Sequence, residues 1–275
     1  MSNQPMTLLP ELCSCLKKLS LGQLIDVLPE RLVLAEKQNL DFQQLLVLLL
    51  NDEISRRESS SATRRSRAAG LDLTMTLQNW DPKAKVSYDK RVFAELCSLR
   101  FIAAKRNAVV LGPVGVGKTF LATALGHIAC WHRYQVMFYR ADDMLRKLKQ
   151  SRFDNSRDAL MTELSTVDLL IIDDFALESM NRDESRDIYQ LFVERTGHAA
   201  TIITSNRDTN EWLATFDDVL LAQSAVDRMS NSAYDLIIDG ESYRPQQKPK
   251  VSVDDPPPET PVTKPKLPIG KKRRR

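Results

Sequence analysis

A lysine and a threonine stand side by side at the end of a glycine-bearing octapeptide, Gly112-Pro113-Val114-Gly115-Val116-Gly117-Lys118-Thr119. The spacing matches G-x-x-x-x-G-K-[ST], a phosphate-binding loop. Glycines let successive backbone N–H groups turn inward around phosphate oxygens, with no Cβ in the way. Lys118 would reach the β- and γ-phosphates, and Thr119 would place its hydroxyl on Mg²⁺. A helix starting at Lys118 aims its positive end at the same anion. Phe120, the next residue, is counted with the nucleotide-binding stretch.

Hydrolysing a triphosphate also needs charge neutralisation, an oriented water and dry surroundings. The apolar run Val167-Asp168-Leu169-Leu170-Ile171-Ile172 ends in Asp173-Asp174. Asp173 is placed to hold Mg²⁺, directly or through water, alongside Thr119. Side chains alternate along a strand, so Asp174 turns toward the γ-phosphate region if the backbone bends as the strand ends. It is assigned to polarise the attacking water. Asn206 ends another apolar run, where a neutral amide can orient water without competing for a proton. Arg228 is read as a finger inserted into a neighbouring subunit's nucleotide, with Arg207 and Arg244 competing for that role. His127, His132 and His198 lie apart, with no spacing suited to a metal site or a triad, and are read as structural or surface residues.

The elements that must position these groups follow from hydrophobic periodicity. Asn107–Leu111 reads as a buried strand entering the glycine loop, and Phe120–Ala129 as the helix leaving it. Further strands are expected at Gln135–Tyr139, Val167–Asp174, Ala199–Asn206 and Tyr234–Ile238. Helices are expected at 142–150, 156–164, 183–197 and 220–229. Alternating strands and helices imply an α/β fold with a mostly parallel sheet covered on both faces. Val92–Ala104 has helical spacing and is placed beside the adenine side of the pocket. Residues 70–90 read as loop, with Trp80-Asp81-Pro82 as a turn. Upstream, Pro10–Arg57 is helical, with Asp41 as N-cap of Phe42–Arg57 and Leu45, Leu46, Leu49 and Leu50 as its apolar face.

At 275 residues the chain has room for one medium domain and a smaller one. The expected division is a helical segment 1–69, a nucleotide-binding core 70–244 and a tail 245–275. The tail holds eight prolines and closes on Lys271-Lys272-Arg273-Arg274-Arg275, the composition of a disordered segment. It is either an inert solvated tail or a weak nucleic-acid attractant. Net charge is only +3, so nucleic-acid contact must come from local patches. One is a candidate: Arg64, Arg65 and Arg67, in a run balanced only by Glu58; the 142–150 helix also carries Arg146, Lys147 and Lys149, followed by Arg152. A basic run is more often a solvated helix face. Four scattered cysteines read as free thiols in a reducing compartment. Without a signal segment or a run long enough to span a bilayer, the expected location is cytoplasmic, with no membrane partner.

Together the glycine loop, Leu169–Asp174, Thr204-Ser205-Asn206-Arg207, Asp227-Arg228-Met229 and Gly240-Glu241-Ser242-Tyr243-Arg244 fall in the order and spacing of the AAA+ ATPases of the IstB/DnaC clade. The helical start with its arginine-rich end resembles the IstB-like transposition helpers most, over about residues 10–245. The resemblance implies an ATPase that assembles on double-stranded DNA, presents that target to a partner DDE transposase and stimulates it. ATP and Mg²⁺ are the implied cofactors. A DnaC-like helicase loader is the alternative. By the same resemblance Asp173 is the Walker B acid, Asp174 the catalytic carboxylate, Asn206 the first sensor, Arg228 the trans-acting finger and Arg244 a late sensor, while the helix bearing Arg146, Lys147, Lys149 and Arg152 lies where the clade contacts DNA. Asp174 stands where many relatives carry Glu, which implies slow hydrolysis. No helical lid domain is expected after Ile238, so the neighbouring subunit would enclose the nucleotide.

Overall fold

The computed structural model describes residues 8–231 and 233–243. Three helices come first: α1 (Pro10–Lys18), α2 (Leu24–Gln38) and α3 (Phe42–Ala68). Asn39, in the left-handed conformation, ends α2. Asp41 then starts α3 through a capping box, its carboxylate accepting the Gln44 N–H at 2.8 Å while the Gln44 side chain accepts the Asp41 N–H at 3.0 Å. The helix runs eleven residues past the expected stop at Arg57. Residues 58–68 contain neither Gly nor Pro, so nothing breaks the ladder before Gly70.

The buried stripe of α3 also differs from the expected one. Leu45, Leu48 and Leu49 turn inward, whereas Leu46 and Leu50 are exposed. One turn further on, Glu53 is buried on the same stripe and takes Arg56 at 2.8 Å and Arg57 at 2.5 Å. Those hydrogen bonds outweigh the cost of burial and hold its pKa at about 2. The arginine run is therefore balanced in part from upstream, by residues three and four apart on one helix face.

The remaining elements follow in order: β1 (Val86–Tyr88), α4 (Lys90–Cys97), α5 (Arg100–Ala103), β2 (Asn107–Leu111), α6 (Lys118–Trp131), β3 (Val136–Arg140), α7 (Ala141–Ser151), α8 (Arg157–Thr166), β4 (Leu169–Asp173), α9 (Arg182–Arg195), β5 (Ala200–Ser205), α10 (Thr209–Trp212), α11 (Val219–Ser230) and β6 (Ala233–Gly240). The sheet order is β1-β6-β2-β5-β4-β3. Every pair is parallel except β1 with β6. One face of the sheet packs on a core that includes Met144, Leu164, Leu191, Trp212 and Ala225 from the α7–α11 helices. The other packs on Leu96, Phe101, Leu121 and Leu125 from α4, α5 and α6. This is the α/β class expected, a mostly parallel sheet with both faces covered.

Two stretches depart from the sequence pattern. Val92–Ala104 is not one helix: Leu99 at φ 59° separates α4 from α5. The 70–90 stretch is not all loop, because Val86–Tyr88 adds an antiparallel edge strand to β6. Three residues are too few to show alternation, and the partner lies about 150 residues away. No described helix is long and apolar enough to cross a membrane.

Arg195 closes the end of α9 with a buried guanidinium. It donates to Thr201 Oγ1 at 2.8 Å, to the carbonyls of Leu164 at 2.6 Å and Val167 at 3.0 Å, and to the Ala200 carbonyl. Burial pulls its pKa down to about 9, which still leaves it charged at neutral pH. It joins the ends of α8 and α9 to the starts of β4 and β5, the two strands that deliver the acidic and polar residues. Arg195→Leu is expected to cost about 3 kcal/mol, because several buried acceptors lose their donors at once. Urea denaturation checks this, and an unchanged midpoint would show that the carbonyls find other partners.

Candidate functional site

The phosphate loop leaves β2 and enters α6, and its glycines take the conformations the turn requires. Gly112, Gly115 and Gly117 have φ of 151°, 86° and 98°. Val116 is buried in the core and pins the loop's centre, while Pro113 and Val114 form its exposed tip. Lys118 is 7% exposed, and its Nζ donates to the carbonyls of Gly112 and Pro113, each at 2.8 Å. Its charge is held over the loop rather than in open solvent.

Thr119 and Asp173 meet across the sheet. Thr119 Oγ1 donates to the Asp173 carboxylate at 2.9 Å and 3.1 Å. The sheet order explains a third member. β5 lies between β2 and β4, so its C-terminal end reaches the tips of both. From there buried Thr204 donates to Asp173 Oδ1 at 2.5 Å and accepts the Asp174 N–H at 3.1 Å. Desolvation raises the Asp173 pKa, opposed by the hydrogen bonds from Thr204 and Thr119. The sequence pattern includes Thr204 in the Thr204–Arg207 motif but assigns it no role. The usable signal was a hydroxyl near the C-terminal end of a strand flanking both the loop strand and the acid strand.

At Asp174 the backbone bends: β4 stops at Asp173, and Asp174 takes φ 54°. Its carboxylate leaves the strand axis and meets Arg140 Nη2 at 3.3 Å. Arg140, the last residue of β3, had no signal in the sequence beyond its place after an apolar run. Between α7 and the segment following Asp174 lies a cleft of about 300 Å³, with Arg140, Lys149 and Asp174 in its walls.

Asn206 is exposed immediately after β5. Arg228 stays on α11: its guanidinium lies 5.7 Å from the Tyr189 ring centroid and donates to the Ser224 carbonyl at 3.0 Å. None of those partners belongs to the Lys118–Thr119–Asp173 group. Arg207 donates to the Leu177 carbonyl at 3.2 Å. Arg244 lies outside the described residues, as does the 245–275 tail.

The six basic residues expected to contact DNA divide. Arg64, Arg67, Lys147 and Lys149 are exposed. Lys147 also sits 4.6 Å over the Tyr139 ring. Arg65 instead turns inward, donating to the Cys130 carbonyl at 2.7 Å and fastening α3 to the end of α6. Arg152 pairs with Asp187 at 2.6 Å and Asp183 at 3.3 Å. Asp187 is buried and also takes Arg157 at 2.7 Å, so Arg152 is half of a clamp joining α7, α8 and α9. His127 is structural in the same sense, with Nδ1 on Ser66 Oγ at 3.0 Å and Nε2 on the Asp72 carbonyl at 2.9 Å.

The sequence matches the family model of the IstB-like ATP binding proteins over residues 14–251. The chain belongs to that family. This IstB-like protein is 34% identical over 242 residues to an insertion-sequence ATP-binding protein of Mycobacterium tuberculosis, covering 87% of this chain and 96% of the relative. It is 33% identical over 219 residues to the insertion sequence IS21 ATP-binding protein of Pseudomonas aeruginosa, covering 80% and 83%. Among solved structures it resembles the DnaC helicase loader, with a TM-score of 0.51 at 19% identity over 60% of this chain and 97% of that one. The replication initiator DnaA bound to AMPPCP and single-stranded DNA gives a TM-score of 0.50 at 20% identity, over 60% and 50%. These two likenesses concern the fold. The chain is thus a member of a family of ATP-binding proteins, with an α/β fold shared with the DnaC helicase loader.

Proposed function

We propose that this ATPase is a transposition helper. It assembles on duplex DNA in an ATP-dependent way, presents that DNA to a partner DDE transposase and stimulates the transposase. The observation that carries the reading is the group Lys118, Thr119, Asp173 and Asp174, brought together at the ends of β2 and β4 in a chain whose relatives belong to insertion sequences. A triphosphate on the loop would be held by Lys118 and by backbone N–H groups of residues 114–120, Pro113 having none to give. Mg²⁺ fits the hydroxyl of Thr119 and the carboxylate of Asp173, two hard oxygen donors already facing each other, with phosphate and water completing its shell. When bound, the ion neutralises phosphate charge. Asp174 then polarises the attacking water and Asn206 orients it. Asp174 is a shorter base than Glu, which favours slow turnover raised by DNA or partner.

In the proposed division of labour, residues 1–69 contact DNA or partner and residues 70–244 carry out the ATPase reaction. Arg64, Arg67, Lys147 and Lys149 make the phosphate contacts to DNA, with Arg65 and Arg152 acting mainly through the elements they hold. Arg228 completes the neighbouring protomer's site, a reading supported by its partners, Tyr189 and Ser224, lying outside its own phosphate loop.

Mass photometry with ATP, Mg²⁺ and duplex DNA tests the reading. Wild type is expected to form multimers on the duplex only when ATP is present. Arg228→Ala is expected to bind ATP normally and to lose about 1,000-fold or more in turnover, the effect of removing an arginine finger. A chain that stays monomeric under saturating ATP and duplex, or an Arg228→Ala variant with full turnover, would overturn the assembly mechanism. Capture of a replicative helicase in place of the transposase would point to a loader.

A further inference from the structure

The segment that follows β6 lies against the phosphate loop. Tyr243 N–H donates to the Gly115 carbonyl at 2.9 Å. The Tyr243 hydroxyl donates to Asp81 Oδ2 at 2.9 Å. Glu241 N–H donates to the Lys85 carbonyl at 3.1 Å, and its carboxylate pairs with Lys85 Nζ at 3.2 Å. Ser242 sits so close to Gly115 that any Cβ there would overlap its Oγ. From the same 80–85 stretch, the Trp80 ring stands where a Cβ on Gly117 would come within 2.9 Å, and it meets the Phe120 ring edge-on at 5.3 Å. Two stretches about 160 residues apart in sequence therefore clasp the loop together.

A trans peptide points its C=O and its following N–H in opposite directions. A donor on the Gly115 carbonyl from the Tyr243 side thus turns the Val116 N–H to the other side of the loop. The loop can cradle an anion only when such N–H groups converge on it. The Tyr243 N–H selects that peptide orientation, and the hydroxyl, fastened to Asp81, fixes where the N–H stands. Asp81 is itself held by the Lys83 N–H at 2.8 Å. Both hydrogen bonds keep its carboxyl below the usual range, so it stays an acceptor at neutral pH.

We infer that Tyr243 and Asp81 form a latch that sets the phosphate loop in its anion-binding conformation, making them positioning residues for nucleotide affinity. This rests on the reading of the loop as the triphosphate site. It gives Gly240-Glu241-Ser242-Tyr243 a task distinct from the late-sensor role the family resemblance implies for Arg244. The latch spans from the residues before β1 to those after β6, so nucleotide on the loop stabilises the point where the chain leaves the sheet.

The test compares full-length wild type, Tyr243→Phe, Asp81→Ala and the double variant. ADP binding is measured by calorimetry, amide exchange is followed across the loop, and turnover is measured at saturating ATP. Tyr243→Phe is expected to weaken ADP binding about tenfold, the effect of losing one charge-assisted hydrogen bond. Loop amides should exchange faster, with kcat within about twofold of wild type if only affinity is set here. Adding Tyr243→Phe to Asp81→Ala should cost nothing further, because the bond is already absent. Unchanged ADP affinity in Tyr243→Phe, two losses that multiply, or a fall in kcat at unchanged affinity would each overturn the latch. Thermal melts identify a variant that fails to fold, and Tyr243→Phe, which removes one oxygen and keeps the ring, then decides alone. Wild type that binds no ADP would instead refute the triphosphate site, whereas binding lost in Lys118→Ala but indifferent to Tyr243→Phe would refute only the latch.

Discussion

Lys118→Ala is expected to lose ATP affinity by about 100-fold or more, the scale of removing a charge-assisted phosphate contact from a preformed anion site. Lys118 is buried, and its Nζ spans the carbonyls of Gly112 and Pro113 at 2.8 Å. Under the proposed reading that position would serve two ends: bridging two loop carbonyls and supplying positive charge to the β- and γ-phosphates. Lys118→Met separates the two, since it keeps the stem and removes only the ammonium. Both variants should lose affinity if charge dominates; a milder loss in Met would assign part of the effect to packing. The readout is the thermal shift on adding ATP and Mg²⁺, which reports binding to the folded state without requiring turnover. Wild type should shift and neither variant should. An undiminished shift in Lys118→Ala would remove the loop from the nucleotide site.

The loop was legible because its chemistry is contiguous. Eight residues carry the turn, the cation and the hydroxyl, and the flanking strand and helix have clear periods. Asp173 and Asp174 were legible for a related reason, a carboxylate pair at the end of an apolar run. What the sequence did not show depends on neighbours distant along the chain. Thr204 acts because β5 lies between β2 and β4, a fact of strand order. Arg140 meets Asp174 because β3 and β4 pair in register, Arg140 opposite Asp173. Tyr243 and Asp81 meet because β1 pairs with β6. Basic residues were the hardest to read. Arg65 and Arg152 look like Arg64 and Lys149 in the sequence, yet a carbonyl of α6 and a buried Asp187 draw them inward. A guanidinium with several donors can close an interior junction as readily as it can bind a phosphate.

Asp174→Asn should leave ATP binding within about twofold of wild type and lower phosphate release by about 100-fold or more, the usual contribution of a positioned base. The substitution suits this position. Asp174 sits at φ 54°, a conformation that Asn adopts as readily as Asp, so the bend after β4 is preserved. The backbone N–H keeps its bond to Thr204 Oγ1, so the Thr119–Asp173–Thr204 group that would hold the ion is undisturbed. Only the charge facing Arg140 and the cleft beside α7 is lost. Under the proposed reading, in which Lys147 and Lys149 of α7 contact DNA, a shift of α7 on phosphate contact would move Arg140, which leads directly into that helix and pairs with Asp174. Wild-type turnover should therefore rise with duplex DNA, while the Asn variant should bind ATP and duplex, accumulate as ATP-bound assemblies and show no such rise. Loss of ATP affinity in the variant would place Asp174 in nucleotide binding. Unimpaired phosphate release would leave its carboxylate as the ion-pair partner of Arg140 and nothing more.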